Sequence, residues 1–238
     1  MIATAVKSEA NERRAILTIF VMMFFQVTFF SLFEQAGSSM TLFTQRSIDR
    51  VVWGYDIPAS WFQSLNPFFI IALGPVFTWL WMFLERRKIS PYPPMKFALA
   101  LIQVALGFLC LVAGITQAAH GSGLTSMGWM VLAYFFHTTG ELCLSPVGLS
   151  MVSKLAPARL LSTIMGVWFL SISFANHLAG MFSKIAAIDT DKGAESVANA
   201  NLYKYAFSTV TVFALVMAAI LIMISPILRK VFIKNGHS

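Results

Sequence analysis

Polarity along this chain changes on a coarse scale. Mostly apolar runs of about 20 residues or more are separated by short charged or Gly/Pro-rich interruptions. Six such runs can be cut, at 15–44, 60–84, 96–118, 127–153, 160–186 and 204–228. Each is long enough to cross a hydrocarbon layer. Backbone N–H and C=O groups in lipid must be paired within their own segment, so each run is expected to be a helix. The first is too long for a straight perpendicular crossing, and its Gly37-Ser38-Ser39 step is the expected kink. The expected fold class is an all-α membrane protein with six transmembrane helices in residues 15–230, preceded by a cytoplasmic segment 1–14 and followed by a cytoplasmic tail 231–238.

Composition supports lipid as the solvent. Hydrophobic residues make up 58% of the 238 and charged ones only 11%, with a mean hydropathy of +0.74, which leaves too little charge for a soluble domain's surface. The net charge of +7 would otherwise suggest a nucleic-acid partner, but its distribution speaks for a membrane instead. With the N-terminus inside, the inner loops and tails hold Lys7, Arg13, Arg14, Arg86, Arg87, Lys88, Lys96, Lys154, Arg159, Arg229, Lys230 and Lys234, twelve of the seventeen basic residues. The outer side keeps Arg46, Arg50, Lys184, Lys192 and Lys204. That bias predicts a multi-pass membrane protein with both termini in the cytoplasm. Cys110 and Cys143 both fall within spans and read as small packing residues rather than a disulfide or metal pair. No HExxH, P-loop, GxSxG or paired CxxC is present, so neither a metal site nor an enzyme is indicated.

The third and sixth spans carry few polar residues and are expected to be peripheral and lipid-facing. The other four carry Gln26, Glu34, Gln35 and Ser38; Gln63, Ser64 and Asn66; His137, Thr138, Thr139, Glu141 and Ser145; and Ser171, Ser173, Asn176 and His177. Four polar spans around a wet centre, with every third span closing the outside, is the pattern of two triplets of opposite topology. This is the 3+3 inverted repeat of one major-facilitator-type bundle. Glu34 and Glu141 stand on the leading helix of each triplet. A carboxylate in hydrocarbon costs on the order of a few kcal/mol, so such a residue marks an ion, proton or substrate path by default. Glu141 lies about 14 residues from the outer edge of its span, or ~21 Å at 1.5 Å per residue, near the bilayer middle. His137 is one helical turn earlier, placed either to share its proton or to pack as an ordinary buried histidine.

The run His137-Thr-Thr-Gly-Glu141-Leu-Cys-Leu-Ser145-Pro146-Val-Gly-Leu-Ser150 closely resembles the tenth helix of the bacterial proton-dependent oligopeptide transporters, a family of the major facilitator superfamily. Phe33-Glu34-Gln35-Ala-Gly37-Ser38-Ser39 resembles that family's seventh helix, Trp61-Phe-Gln-Ser-Leu-Asn66-Pro67 its eighth, and Gly166-Val-Trp168-Phe-Leu-Ser171 its eleventh. The resemblance runs through essentially the whole chain in order, and it covers only the C-terminal six-helix half of a family member. It implies a proton-coupled symporter for di- and tripeptides that works by alternating access, with protons as the coupling ion and no cofactor, and with an N-terminal six-helix bundle as the missing partner.

The same resemblance implies roles for individual residues. Glu141 would pair with a lysine of the other half and hold the amino terminus of the peptide, and Glu34 would couple protons against an arginine of the absent first helix. Some relatives place a second carboxylate just before the latter; here that position is Phe33, which argues against a two-carboxylate relay. Asn66 would contact the peptide backbone or terminus, while Trp168 and Ser171, one turn apart, would line a side-chain pocket. Gln35 and Ser38 either orient Glu34 or pack helices, and Pro146 kinks its helix as a gate or as simple curvature. Two alternatives stay open: a truncated, non-transporting membrane protein with an assembly or regulatory role, and a major facilitator half for another small solute. An intramembrane enzyme using Glu141 and His137 lacks a nucleophile or third ligand.

Overall fold

The computed structural model describes residues 2–120, 123–188 and 196–234. Lys192 and the end of the expected tail, 235–238, lie outside the described residues. The helices are α1 (Ile2–Phe33), α2 (Ser39–Ser47), α3 (Leu65–Arg86), α4 (Pro93–Ala119), α5 (Met127–Leu155), α6 (Leu161–Ile188) and α7 (Ser196–Lys234). Residues 2–14, expected as a segment ahead of the membrane, continue α1 without a break.

The first expected span bends where predicted. α1 stops at Phe33, a 3-10 turn covers Glu34–Gly37, Ser38 leaves the helical region at φ −130° and ψ −91°, and α2 starts at Ser39. The carbonyls released there find new donors. Gln35 O accepts from the Ser38 amide at 3.1 Å, and Ala36 O accepts from Thr41 Oγ1 at 2.8 Å and from the Tyr134 hydroxyl at 3.4 Å. Breaks in membrane helices persist where side chains re-satisfy the backbone in this way. The second expected span also opens as a 3-10 turn, Ala59–Ser64, with α3 following. Pro67 falls in the first turn of α3, directly after that 3-10 turn.

Among the described residues, five helical stretches are long and apolar enough to cross a membrane: 11–47, 59–86, 93–119, 158–181 and 201–232. The sixth expected crossing, α5, has 29 residues and the required length, but its polar run makes it less apolar. Packing hides that polarity, for His137, Thr138 and Thr139 are all buried.

Contacts between links sort the two ends of the bundle. At one end, Arg159 beside α6 bonds Glu12 of α1 at 2.7 Å, and the Arg229 guanidinium of α7 lies 4.4 Å from the Tyr92 ring that precedes α4. At the other, Ile48 and Asp49 pair in parallel with Thr125 and Ser126, joining the link after α2 to the link before α5. A hairpin pairing Val51–Val52 with Tyr55–Asp56 stands next to it. Its two-residue turn has Trp53 at φ 49° and Gly54 at φ 85°, the backbone a primed turn requires. These strands are absent from the all-α expectation because each is two residues long and has no periodicity to detect.

The third span, α4, keeps an exposed apolar face at Leu99, Leu106 and Leu109 but also packs along both α5 and α7, with Phe97, Leu101, Val104, Phe108 and Leu111 fully buried. It is α3, counted among the polar inner spans, that has no buried residue. Apolar side chains suit lipid and a helix seam equally well, so low polarity alone does not distinguish the two.

Glycines set the α4–α5 seam. A Cβ on Gly107 would run into the His137 ring, one on Gly114 into the Trp129 ring, and one on Gly140 would lie 3.0 Å from the Ala100 carbonyl oxygen and 3.2 Å from Phe29. Small residues let helices approach closely in lipid, where packing replaces the hydrophobic effect as the main attraction. Gly140→Val is therefore expected to lower stability by about 1–3 kcal/mol, the usual range for overpacking. Gly166→Ala, whose Cβ would meet nothing within 4 Å, is expected to be neutral or slightly stabilising. Thermal unfolding of both variants in detergent, followed by intrinsic fluorescence, checks the contrast.

Candidate functional site

Glu141 projects from the middle of α5 toward α3 and is partly buried. Asn66, in the first turn of α3, donates from Nδ2 to Glu141 Oε2 at 2.9 Å and to Thr138 Oγ1 at 3.2 Å. Thr138 is free to accept because its own hydrogen goes to the Tyr134 carbonyl at 2.8 Å. Both amide hydrogens of Asn66 are thus committed, and the bonds fix the orientation of its side chain. Among the described residues, Asn66 Oδ1 and the second Glu141 oxygen have no hydrogen-bond partner, and both are acceptors. Two neighbouring acceptors, one of them a carboxylate, suit a ligand that brings N–H donors, above all an ammonium group.

Thr138 was not among the residues singled out from the sequence. The signal was available: it stands three residues before Glu141 and so on the same helical face. The link between α3 and α5 otherwise includes the edge-on contact of Phe69 with Phe135 at 5.7 Å.

Glu34 opens the 3-10 turn between α1 and α2, where it is partly exposed and lies within electrostatic reach of Glu141. Among the described residues, neither carboxylate forms an ion pair; the pairs present are Arg50 with Asp56 and Arg159 with Glu12, both near the ends of the bundle. Gln35 is buried, with its Nε2 close to the Ser31 and Ala179 carbonyls at 3.4 and 3.3 Å, while its Oε1 accepts from Ser39 at 2.7 Å. These bonds tie the turn to α6, which is the packing reading of Gln35. Ser38 Oγ approaches the Gln35 carbonyl at 3.5 Å and serves the same turn.

His137 and Glu141 share a helix but point to different neighbours. The histidine ring lies against α4, over Gly107 and 4.8 Å from the Phe108 ring, and neither of its nitrogens has a well-formed hydrogen bond among the described residues. This is the packed histidine of the two readings, not a group turned to the α3 side with Glu141. Pro146 lies within an unbroken α5, so the Leu142 carbonyl lacks its helical donor.

Trp168 was expected on a pocket wall. The structure places it inside the bundle, 2% exposed, with its ring filling the space above Gly148 and meeting Phe97 edge-on at 6.5 Å. Ser171 donates to the Trp168 carbonyl at 2.7 Å and accepts from Gln26 Nε2 at 3.1 Å. Gln26, one amide in an apolar run of α1, therefore cross-links α1 to α6, a role its isolation in the sequence did not reveal. The structure thus brings Asn66, Thr138 and Glu141 together with Glu34 near them, and gathers Trp168, Ser171 and Gln26 into a separate buried cluster.

Comparison with known proteins places this arrangement in a family. The model of the POT family matches residues 1–201. Over 177 residues, 74% of the chain, it is 38% identical to the peptide transporter YePEPT of Yersinia enterocolitica, of which it covers 34%. It is 32% identical over 218 residues to dipeptide and tripeptide permease A of Proteus mirabilis, covering 92% of this chain and 44% of the relative. Its fold superposes on a crystal structure of a peptide transporter POT in complex with sulfate, with a TM-score of 0.79 and 34% identity over 93% of this chain and 42% of that one. The chain therefore spans about two fifths of the length of such relatives. With its membrane-length helices in one major-facilitator-type bundle and the family match over most of its length, the chain belongs to the POT family of membrane transporters.

Proposed function

We propose that this chain is the C-terminal half of a proton-coupled symporter for di- and tripeptides, and that it acts by alternating access together with an N-terminal six-helix bundle. The observation that carries the reading is the Asn66–Glu141 contact. It holds a mid-membrane carboxylate in a fixed orientation while leaving acceptors open and, among the described residues, no cation beside it. A peptide's amino terminus supplies the N–H donors that fit those acceptors, and a lysine of the facing bundle balances the charge between transport events. Glu34, with no ion pair among the described residues, is the second proton-coupling carboxylate. Protonating either group weakens its hold on a cation, so proton binding shifts the balance between outward- and inward-facing states. Each charge moved through the membrane potential is worth about 2.3 kcal/mol per 100 mV, enough to drive uptake against a gradient.

In this reading Trp168 and Ser171 act on the substrate through the shape of α6, which their buried contacts hold against α1 and α5, and Pro146 softens α5 next to Glu141. The relatives support the substrate class by name, and one structurally similar transporter is a complex with alafosfalin. The basic residues of the Glu12–Arg159 end face the cytoplasm of a bacterial inner membrane, and the Tyr55 hairpin faces outward.

Vesicles containing this chain with an N-terminal bundle of the family are expected to accumulate a labelled dipeptide when the outside is acidified. Glu141→Gln lowers uptake by about tenfold or more, as loss of a charge-assisted bond of ~1.5–3 kcal/mol requires. Undiminished uptake by that variant would remove Glu141 from the mechanism. Asn66→Leu, which keeps the volume but neither hydrogen bond, is expected to raise KM for dipeptide more than it lowers kcat. Orientation has its own check in whole cells: a membrane-impermeant maleimide labels Tyr55→Cys and leaves Arg86→Cys unlabelled until the cells are opened.

A further inference from the structure

An open cleft of about 630 Å³ lies between the start of α4 and the end of α7, well away from Glu141. Its walls include Tyr92, Met95, Ile222 and Pro226, with Arg229 and Lys230 at one side. On α7 the exposed surface changes from Met223 and Ile227, 77% and 67% exposed, to these two exposed cations within a couple of residues. That step marks the boundary between hydrocarbon and headgroups. The Arg229 guanidinium rests 4.4 Å from the centre of the Tyr92 ring, which holds the charge at the cleft.

The backbone at the start of α4 offers an anion nothing. Pro93 and Pro94 have no N–H, and the amides of Met95 and Lys96 both donate to the Tyr92 carbonyl, at 2.9 and 3.2 Å. Any anion in this cleft is held by the side chains of α7. On the opposite account, Pro226 supplies no N–H for the Ile222 carbonyl, and both residues line the cleft. A carbonyl without its helical donor is an acceptor for a hydroxyl. The cleft therefore combines two cations, one of them held over the Tyr92 ring, with a hydroxyl acceptor and an apolar wall continuous with the membrane-facing side of α7.

We infer that this cleft is a binding site for an anionic phospholipid bearing a hydroxylated headgroup, of the phosphatidylglycerol class. Its phosphate sits on Arg229 and Lys230, and its acyl chains run along Ile222 and Met223. Basic pockets between transmembrane helices at the membrane surface take lipids of this charge. The inference rests on the helices crossing a bilayer and is independent of peptide transport, so loss of the Glu141 role would leave it standing.

Native mass spectrometry of the full chain, released from detergent with defined lipids, tests it. Dioleoyl phosphatidylglycerol is expected to remain bound while dioleoyl phosphatidylcholine is stripped, and Arg229→Ala with Lys230→Ala reduces the retained lipid by about tenfold or more. Met95→Trp keeps both charges and fills the cleft, and it is expected to lose the lipid as well; circular dichroism confirms the helical fold of each variant. Equal retention of the two lipids, or undiminished phosphatidylglycerol binding by either folded variant, would overturn the site. Displacement of the lipid by millimolar inorganic phosphate would likewise overturn it in favour of a free-anion site.

Discussion

The close approach of α4 and α5 is the constraint from which the rest of this bundle follows. Gly107 and Gly114 on α4 each receive a ring from α5, and Gly140 on α5 comes against the Ala100 carbonyl of α4. With those contacts made, α5 cannot rotate about its axis. One face, carrying His137 and Gly140, belongs to α4; the adjoining face, carrying Thr138 and Glu141, is left for α3. In lipid this kind of seam matters more than in water, because hydrocarbon tails are as apolar as leucine and only packing and hydrogen bonds favour one helix neighbour over another.

The consequence is an uneven bundle. α4 is buried on two sides, whereas α3 has no buried residue and meets α5 through Asn66 and Phe69. That helix carries the residue that holds Glu141. The broken first span works the opposite way. Its released carbonyls are taken up by Thr41, Tyr134 and Ser38, and Gln35 ties the turn to α6, so Glu34 sits at a bend that is held in place.

Much of the site was readable from residue type alone. Glu34 and Glu141 stand out because a carboxylate in an apolar run is costly, and Asn66 stands out as an amide at a proline step. Their partners were harder to find. Thr138 and Gln26 belong to residue classes that pack membrane helices everywhere, and only a measured bond separates those that hold a site from those that hold a seam. Trp168 shows the reverse error: a tryptophan in mid-span reads as a pocket wall, yet the absence of a side chain at Gly148 makes room for it inside the bundle. Whether a ring faces a cavity depends on a residue 20 positions away in the chain, which no local pattern records.

The sequence by itself determined the solvent, the number of crossings, the bend near Gly37 and the two carboxylates, because each follows from the cost of placing polar groups in hydrocarbon, a cost paid residue by residue. Tertiary structure alone decided which helix is central, which neighbour each polar face meets, and the cleft between α4 and α7. Those outcomes depend on how closely two backbones can approach. That is set jointly by a glycine on one helix and a ring on another, and it becomes definite only when both are in place.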